Sequence, residues 1–428
     1  MGDPLITSIL VAGALAALAV AVTFILWRTV HGRQKNVEHR NPKVKNLLND
    51  LGLETKQNKS AKVRDTDDGP LKVKEVSHLF ENAVTKNEEK KAVHAACALT
   101  ALGQEKGPHI EYLSDHAGPV DSHKWKPLSD TLLRRYIFSP REDPFIDALS
   151  ALISRAINLD VAPSLADHGL ESNHICANPG EGPEFMLTLT RCGQALGMNL
   201  PPVYVDETSD SGLDILWVNH RLGPRLLIRL GAKAASIPST GRRSFLCGSV
   251  LTLLHPALLL TLFSGSPANL WRVFKETRLF IDETGSNEMD ESHSISGIVE
   301  PASLSAVSKP ILDLVRLRGS WPSEEDVDKW WDATQETCFR TGLVLSGDIR
   351  EAALMIGGQN KTVDEAKEPH PSGSPQRNVG DSAAAVSGSI TRDIMQVQEP
   401  GLVMEKLVGF LLSDAYDLVR KRLVGQAP

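Results

Sequence analysis

The chain's thirteen histidines and five cysteines are the side chains best suited to hold a metal or attack a carbonyl. Zinc chemistry needs three or four such ligands at fixed spacings, and thiol chemistry needs a cysteine beside a base. Neither arrangement is written locally. His94 sits in a helical run with no partner at metal spacing, and reads as an ordinary core or surface histidine. His109, His116 and His123 recur every seven residues across a stretch containing Gly and Pro, a regularity best treated as coincidence. Cys97, Cys176, Cys192, Cys247 and Cys338 are scattered, odd in number and form no C-x-x-C. That usage fits reduced thiols in a cytosolic compartment better than a disulfide framework. The chain has no G-x-x-x-x-G-K-[ST], no G-x-G-x-x-G after a strand and no G-x-S-x-G elbow.

The elements that would position any site begin with an apolar run. From Leu5 to Trp27 there is no charge, and the length suits a helix crossing a hydrocarbon layer of about 30 Å. Only Asp3 is charged upstream, whereas Arg28, Arg33, Lys35, Arg40, Lys43 and Lys45 follow. With Trp27 at the interface, the excess of bases places the rest of the chain in the cytoplasm. Residues 1–27 therefore read as a single-pass anchor, and 28–70 as a basic juxtamembrane linker that either solvates or touches anionic headgroups. With a net charge of −7, nothing in the overall balance suggests a nucleic-acid partner.

Beyond Leu71 the apolar spacing is helical. Val73, Val76, Leu79, Phe80, Ala83 and Val84, followed by "KKAVHAACALTALG", predict a helical hairpin within 71–125. A core helix is expected from Phe145 to Leu159, and another in "GPEFMLTLTRCGQALGMNL". The runs "PPVYVDE", "LDILWVNHR" and "PRLLIRLGA", separated by turn residues, predict a small antiparallel sheet. "RRSFLCGSVLTLLHP" then opens an apolar helix that is expected to continue through "PALLLTLFSG". A helix over 322–342 is capped by Ser323, with Val327, Trp331, Gln335, Cys338 and Gly342 as its inward stripe. Residues 359–398, rich in Ser, Gly, Pro and charge, are expected to be disordered. An amphipathic helix within 399–428 ends in Arg420, Lys421 and Arg422 and is expected to dock on the domain.

The order of these elements carries a resemblance. A helix, the "PPVYV" strand, a strand pair and then "FLCGSVLTLLHP" and "FRTGLVLSGD" resemble the HtpX-like family of membrane-associated zinc metallopeptidases. More closely, the chain resembles a set of uncharacterised deltaproteobacterial proteins that hold a degenerate copy of that domain, over roughly residues 126–358. Active members of the family have G-H-E-x-x-H, in which two histidines one turn apart hold zinc and the glutamate activates water. Aligned on Gly248, the ligand positions here are Ser249 and Leu253, and the general-base position is Val250. Aligned on Arg340 and Gly342, the third ligand position is Gln335, and the acid of the family's "DRAG"-like motif is Phe339. The resemblance thus implies vestigial positions, with no metal and no cofactor. Glu336, at i, i+4 from Arg340, reads as half of a surface ion pair, and His255 lies off the ligand face.

The expected fold is α+β and mostly α. It comprises a transmembrane anchor (1–27), a linker (28–70), a helical hairpin (71–125), a degenerate zincin-like domain with a small antiparallel sheet (126–358), a disordered linker (359–398) and a C-terminal helix (399–428). The expected function is a catalytically inactive pseudopeptidase on the cytoplasmic face of a bacterial inner membrane, binding a protein partner as a scaffold through its edge strand. Two alternatives stand beside it: a zinc peptidase with ligands relocated to His220, His255 or Glu336, and a purely structural assembly platform.

Overall fold

The computed structural model describes residues 71–116, 125–139, 142–157, 162–171, 175, 184–209, 211–220, 223–284, 299–356 and 399–426. The expected anchor (1–27), juxtamembrane linker (28–70) and disordered stretch (359–398) lie outside them, as do His123 and Cys176. Among the described residues no helix is long and apolar enough to cross a membrane. What is described is a mostly helical α+β fold with one three-stranded sheet.

The N-terminal hairpin consists of α1 (Val73–Thr85) and α2 (Glu89–Ala101). Val76, Phe80 and Ala83 lie on one face of α1 and are buried. Facing them, α2 is alanine-rich (Ala92, Ala95, Ala96, Ala98), so the two backbones approach closely. Asn87 turns the chain between them at φ 55°, a left-handed conformation that asparagine tolerates. The expected hairpin gains a third helix, α3 (Pro108–His116), where the sequence suggests a loop. Pro108 begins it at a position where a missing N–H costs nothing. His109 is buried with Nε2 on the Gln104 carbonyl (2.9 Å), and His116 stacks on Tyr112.

Helix α4 (Pro144–Ile153) starts at the Asp143 cap, and α5 (Glu184–Ala195) precedes the sheet. Strands β1 (Val203–Asp206), β2 (Leu213–His220) and β3 (Gly223–Gly231) are ordered β1-β3-β2. The antiparallel sheet of the sequence reading is corrected here to a mixed one. Strand β2 pairs antiparallel with β3, Leu213 opposite Leu230, but β1 pairs parallel with β3, Val203 opposite Ile228. Strand β3 takes the centre because it is apolar on both faces. Ile228 and Leu230 enter the main core, while Leu227 joins Tyr204, Leu216, Val218 and Leu170 in a second cluster. Both edges meet the chain's own backbone. Ile175 bridges to Tyr204 of β1, and Asn219 of β2 donates to the Pro163 carbonyl (2.7 Å).

After the sheet come α6 (Thr240–Thr252), α7 (Leu259–Ser264), α8 (Pro267–Thr284), α9 (Pro301–Arg318) and α10 (Glu324–Ser346). The expected continuation of α6 through to 264 does not occur. Pro256 disfavours helical geometry at His255, and three successive i to i−3 bonds unwind the chain from Leu253 to His255. Helices α6 and α10 form the centre of the domain. Every residue of α6 from Arg243 to Thr252 is buried, as is every residue of α10 from Glu336 to Ser346.

The single C-terminal helix of the sequence reading is two: α11 (Pro400–Leu411) and α12 (Asp414–Leu423). Ser413 accepts from the Tyr416 N–H and restarts the helix. Both dock on the domain, as expected, and bury Leu407, Phe410, Tyr416, Val419 and Leu423. Arg420 donates to the Val344 carbonyl (2.6 Å), satisfying a group that the end of α10 leaves unpaired. The Leu71 N–H donates to Glu405 of α11 (3.4 Å), tying the hairpin to the same terminal pair.

Candidate functional site

The positions aligned with the peptidase motif lie on α6 and α10. The start of α6 is fixed by Ser239, which accepts from the Arg242 N–H, and by Arg242 against Glu351 (2.5 Å). Arg243 reinforces it through the Ile237 carbonyl and Glu184, each at 2.6 Å. One turn further on the helix crosses α10 with glycine on both sides. A Cβ on Gly248 would lie 3.0 Å from the Cα of Gly342, and one on Gly342 would strike Ser249 Oγ and sit 2.6 Å from the Phe245 carbonyl. Phe245 and Phe339 flank the crossing with parallel rings, centroids 6.1 Å apart.

Ser249, at the first ligand position, is fully buried, and its Oγ has no hydrogen-bond partner. Val250 and Leu253 are fully buried core residues, and Leu253 stands at the C-cap rather than on the helix face. Phe339 is buried against Phe245. Gln335 is half-buried and two turns before Gly342, roughly 10 Å along the helix axis. The fold therefore gathers Ser249, Phe245, Phe339 and Gly342, and leaves Gln335 and Leu253 apart. A zinc ion does not fit this arrangement. Serine, leucine and glutamine are not its usual ligand set, and the space between the two helices is filled by a hydroxyl, two rings and backbone. Among the described residues, no group of three or more His, Cys, Asp or Glu is placed to hold a metal.

Two rescue candidates are committed elsewhere. His255 Nε2 lies 2.6 Å from Asp130 Oδ1, while its Nδ1 accepts from the Ala257 N–H (3.2 Å). That pattern makes it a neutral imidazole protonated on Nε2. Burial holds its pKa below the usual value, against the pull of Asp130. Glu336 corrects the sequence reading more sharply. It does pair with Arg340, at 2.7 Å, but the pair is buried, with side chains 6% and 3% exposed. The inward stripe is likewise displaced: Trp330 and Thr334 are buried, while Trp331 and Gln335 are half-buried. The side chain of His220 lies outside what the structure describes.

Around that pair lies a buried charged layer that no sequence motif marks. Asp147 of α4 accepts from the Trp330 indole N–H (2.7 Å), with Arg134 4.0 Å away. The Thr337 hydroxyl donates to Glu142 and accepts from the Ser139 N–H (2.8 Å). Arg340 stands over the Phe410 ring, 4.7 Å from its centroid. Burial, and then the neighbouring Asp147, push the Glu142 carboxyl well above the usual range. Burial also raises Asp147 to about 6, although the Trp330 bond favours its charged form. Glu142 and Asp147 thus hold their protons more tightly than free carboxyls do. One signal for it was present in the sequence, an aspartate inside the otherwise apolar "PFIDALSALI", because a buried acid requires partners.

Comparison with family models, curated proteins and solved structures returns no match. The HtpX-like resemblance therefore rests on the motifs and element order quoted above.

Proposed function

We propose that this chain is a catalytically inactive, zincin-like pseudopeptidase, tethered by its N-terminal apolar segment to a bacterial inner membrane. Its domain faces the cytoplasm and acts as a protein-binding scaffold. The observation that carries the reading is the α6–α10 crossing. The position aligned with the first histidine holds Ser249, pressed against Gly342, and the aligned Gln335 lies two turns away. Water activation by the family mechanism requires a metal-bound water with a glutamate beside it, and Ser249, Val250 and Leu253 supply neither. The relocated-ligand alternative loses support because Glu336 is neutralised by Arg340 and His255 is held by Asp130.

The test is metal content by mass spectrometry on the full chain in detergent, after exposure to zinc and removal of the excess. No bound zinc is expected, and one zinc per chain would overturn the inactive reading. Cross-linking in native membranes tests the binding half. A discrete adduct with a second protein is expected, and adducts of the chain with itself alone would remove the scaffold role.

A further inference from the structure

A cleft of about 300 Å³ opens between the N-terminal hairpin and the terminal helix α12, away from the α6–α10 crossing. Lys90 and His94 of α2, His116 of α3, and Asp417, Arg420 and Lys421 of α12 line it. Its charges do not balance. Lys90, Arg420 and Lys421 face only Glu89 and Asp417, with the His94 and His116 rings beside them. Among the described residues neither Lys90 nor Lys421 makes an ion pair. Arg420 already donates to the Val344 carbonyl.

His94 is the group most affected. Its ring packs edge-on against Tyr416, and Nδ1 lies 3.8 Å from Asp417 Oδ1, too long for a hydrogen bond. Burial depresses its pKa first, with Arg420 and Lys90 adding to the effect and Asp417 opposing it. An anion in the cleft would reverse the balance, compensating three cations and drawing a proton onto His94.

We propose that this cleft binds a small phosphorylated anion, held by Lys90 from the hairpin and Lys421 from α12, with His94 as a third contact. Phosphate suits the site better than a carboxylate. The two free cations are lysines, point charges arriving from two helices, rather than a planar arginine fork matched to two coplanar oxygens. The bound anion would join the hairpin to the end of the chain.

Calorimetric titration of the full chain in detergent with inorganic pyrophosphate tests the proposal. Saturable 1:1 binding is expected, tighter near pH 6 than near pH 8, because at the lower pH the bound anion can draw a proton onto His94. Lys90→Ala and Lys421→Ala should each weaken it roughly tenfold, the worth of one charge-assisted contact, without changing the thermal midpoint. His94→Gln should flatten the pH dependence beyond what pyrophosphate's own titration contributes. No saturable binding at millimolar pyrophosphate would overturn the proposal, as would binding that both lysine variants leave intact. Repeating the titration with phosphatidylglycerol in the micelle separates the sources. Competition assigns the site to a lipid headgroup, and unchanged binding assigns it to a soluble phosphate.

Discussion

Against α6, helix α10 presents glycine and an aromatic ring; toward α4, Ser139, Glu142 and α11, it presents a tryptophan, a threonine and a glutamate–arginine pair. The first contact is dry and close, with Gly342 beneath Ser249 and Phe339 stacked on Phe245. The second is polar and equally buried, with Glu336 on Arg340, Thr337 on Glu142 and Trp330 on Asp147. Both grip the same helix, but they fail differently. A dry seam fails when volume is added, whereas a buried ionic layer fails when one partner is removed.

The largest effect should come from breaking the ionic side. Arg340→Met strands the Glu336 carboxylate and should cost about 3 to 5 kcal/mol in urea unfolding. The double variant Glu336→Leu/Arg340→Met should recover most of that loss. A single variant as mild as a surface substitution would mean the layer is wet, and the contrast with the seam would disappear.

A titration sharpens the same side. The Asp147 carboxyl is raised to about 6 in the folded chain, so the fold holds its proton more tightly than the unfolded chain does. Its contribution is fully present below the ordinary aspartate value and is lost as pH rises through about 6. Glu142, raised for the same reason, acts in the same direction. His255 and His94, held low by burial, act oppositely and cost stability as pH falls below their usual value. Comparing the chain with Asp147→Asn cancels the two histidines, while Glu142 loses the part of its upward push that comes from the Asp147 charge. The variant should gain on the parent by on the order of 2 to 3 kcal/mol between about pH 4 and pH 7. A difference that stays flat with pH would show an ordinary carboxyl there.

The seam should respond to volume. Gly342→Ala drives a methyl into Ser249 Oγ and the Phe245 carbonyl, and should cost about 1 to 3 kcal/mol in the same unfolding assay. The smallest expected change has the opposite sign. Ser249→Ala removes a buried hydroxyl that has no partner, and should stabilise the chain by about 1 kcal/mol or less. A clear loss at that position would show that Ser249 Oγ bonds to something, and the seam would no longer count as dry.

Much of this architecture was legible. The Ser323 cap, the three strand segments and the docked C-terminal apolar face all follow from spacing and capping chemistry. Strand order was not, because β3 reaches the centre only through burial on both faces, and one strand's pattern does not say which neighbours cover it. The facing of Glu336 failed for a related reason. A single inward stripe describes a helix with one wet side, whereas α10 from Glu336 onward is surrounded. The break at Ser413 and the start of α3 at Pro108 did have local signals, a capping serine before Asp414 and a proline at the first turn. Each was outweighed by the apolar periodicity or the loop composition around it. At the candidate site, alignment on Gly248 and Gly342 named the residues that meet. That the two glycines lie against each other is a fact of three dimensions.

The docking of α11 and α12 bears on when the domain can form during synthesis. Phe410 and Tyr416 fill the centre against α10, and the Leu423 carbonyl accepts from the Lys126 N–H (2.7 Å). Residues made early and residues made late thus share one core, and contacts so distant in sequence form slowly. The emerging chain must wait with α10 incompletely covered until residues beyond 400 have left the ribosome. Through that interval it exposes apolar surface of α10 that the finished protein conceals, the condition under which a nascent chain is most prone to aggregate.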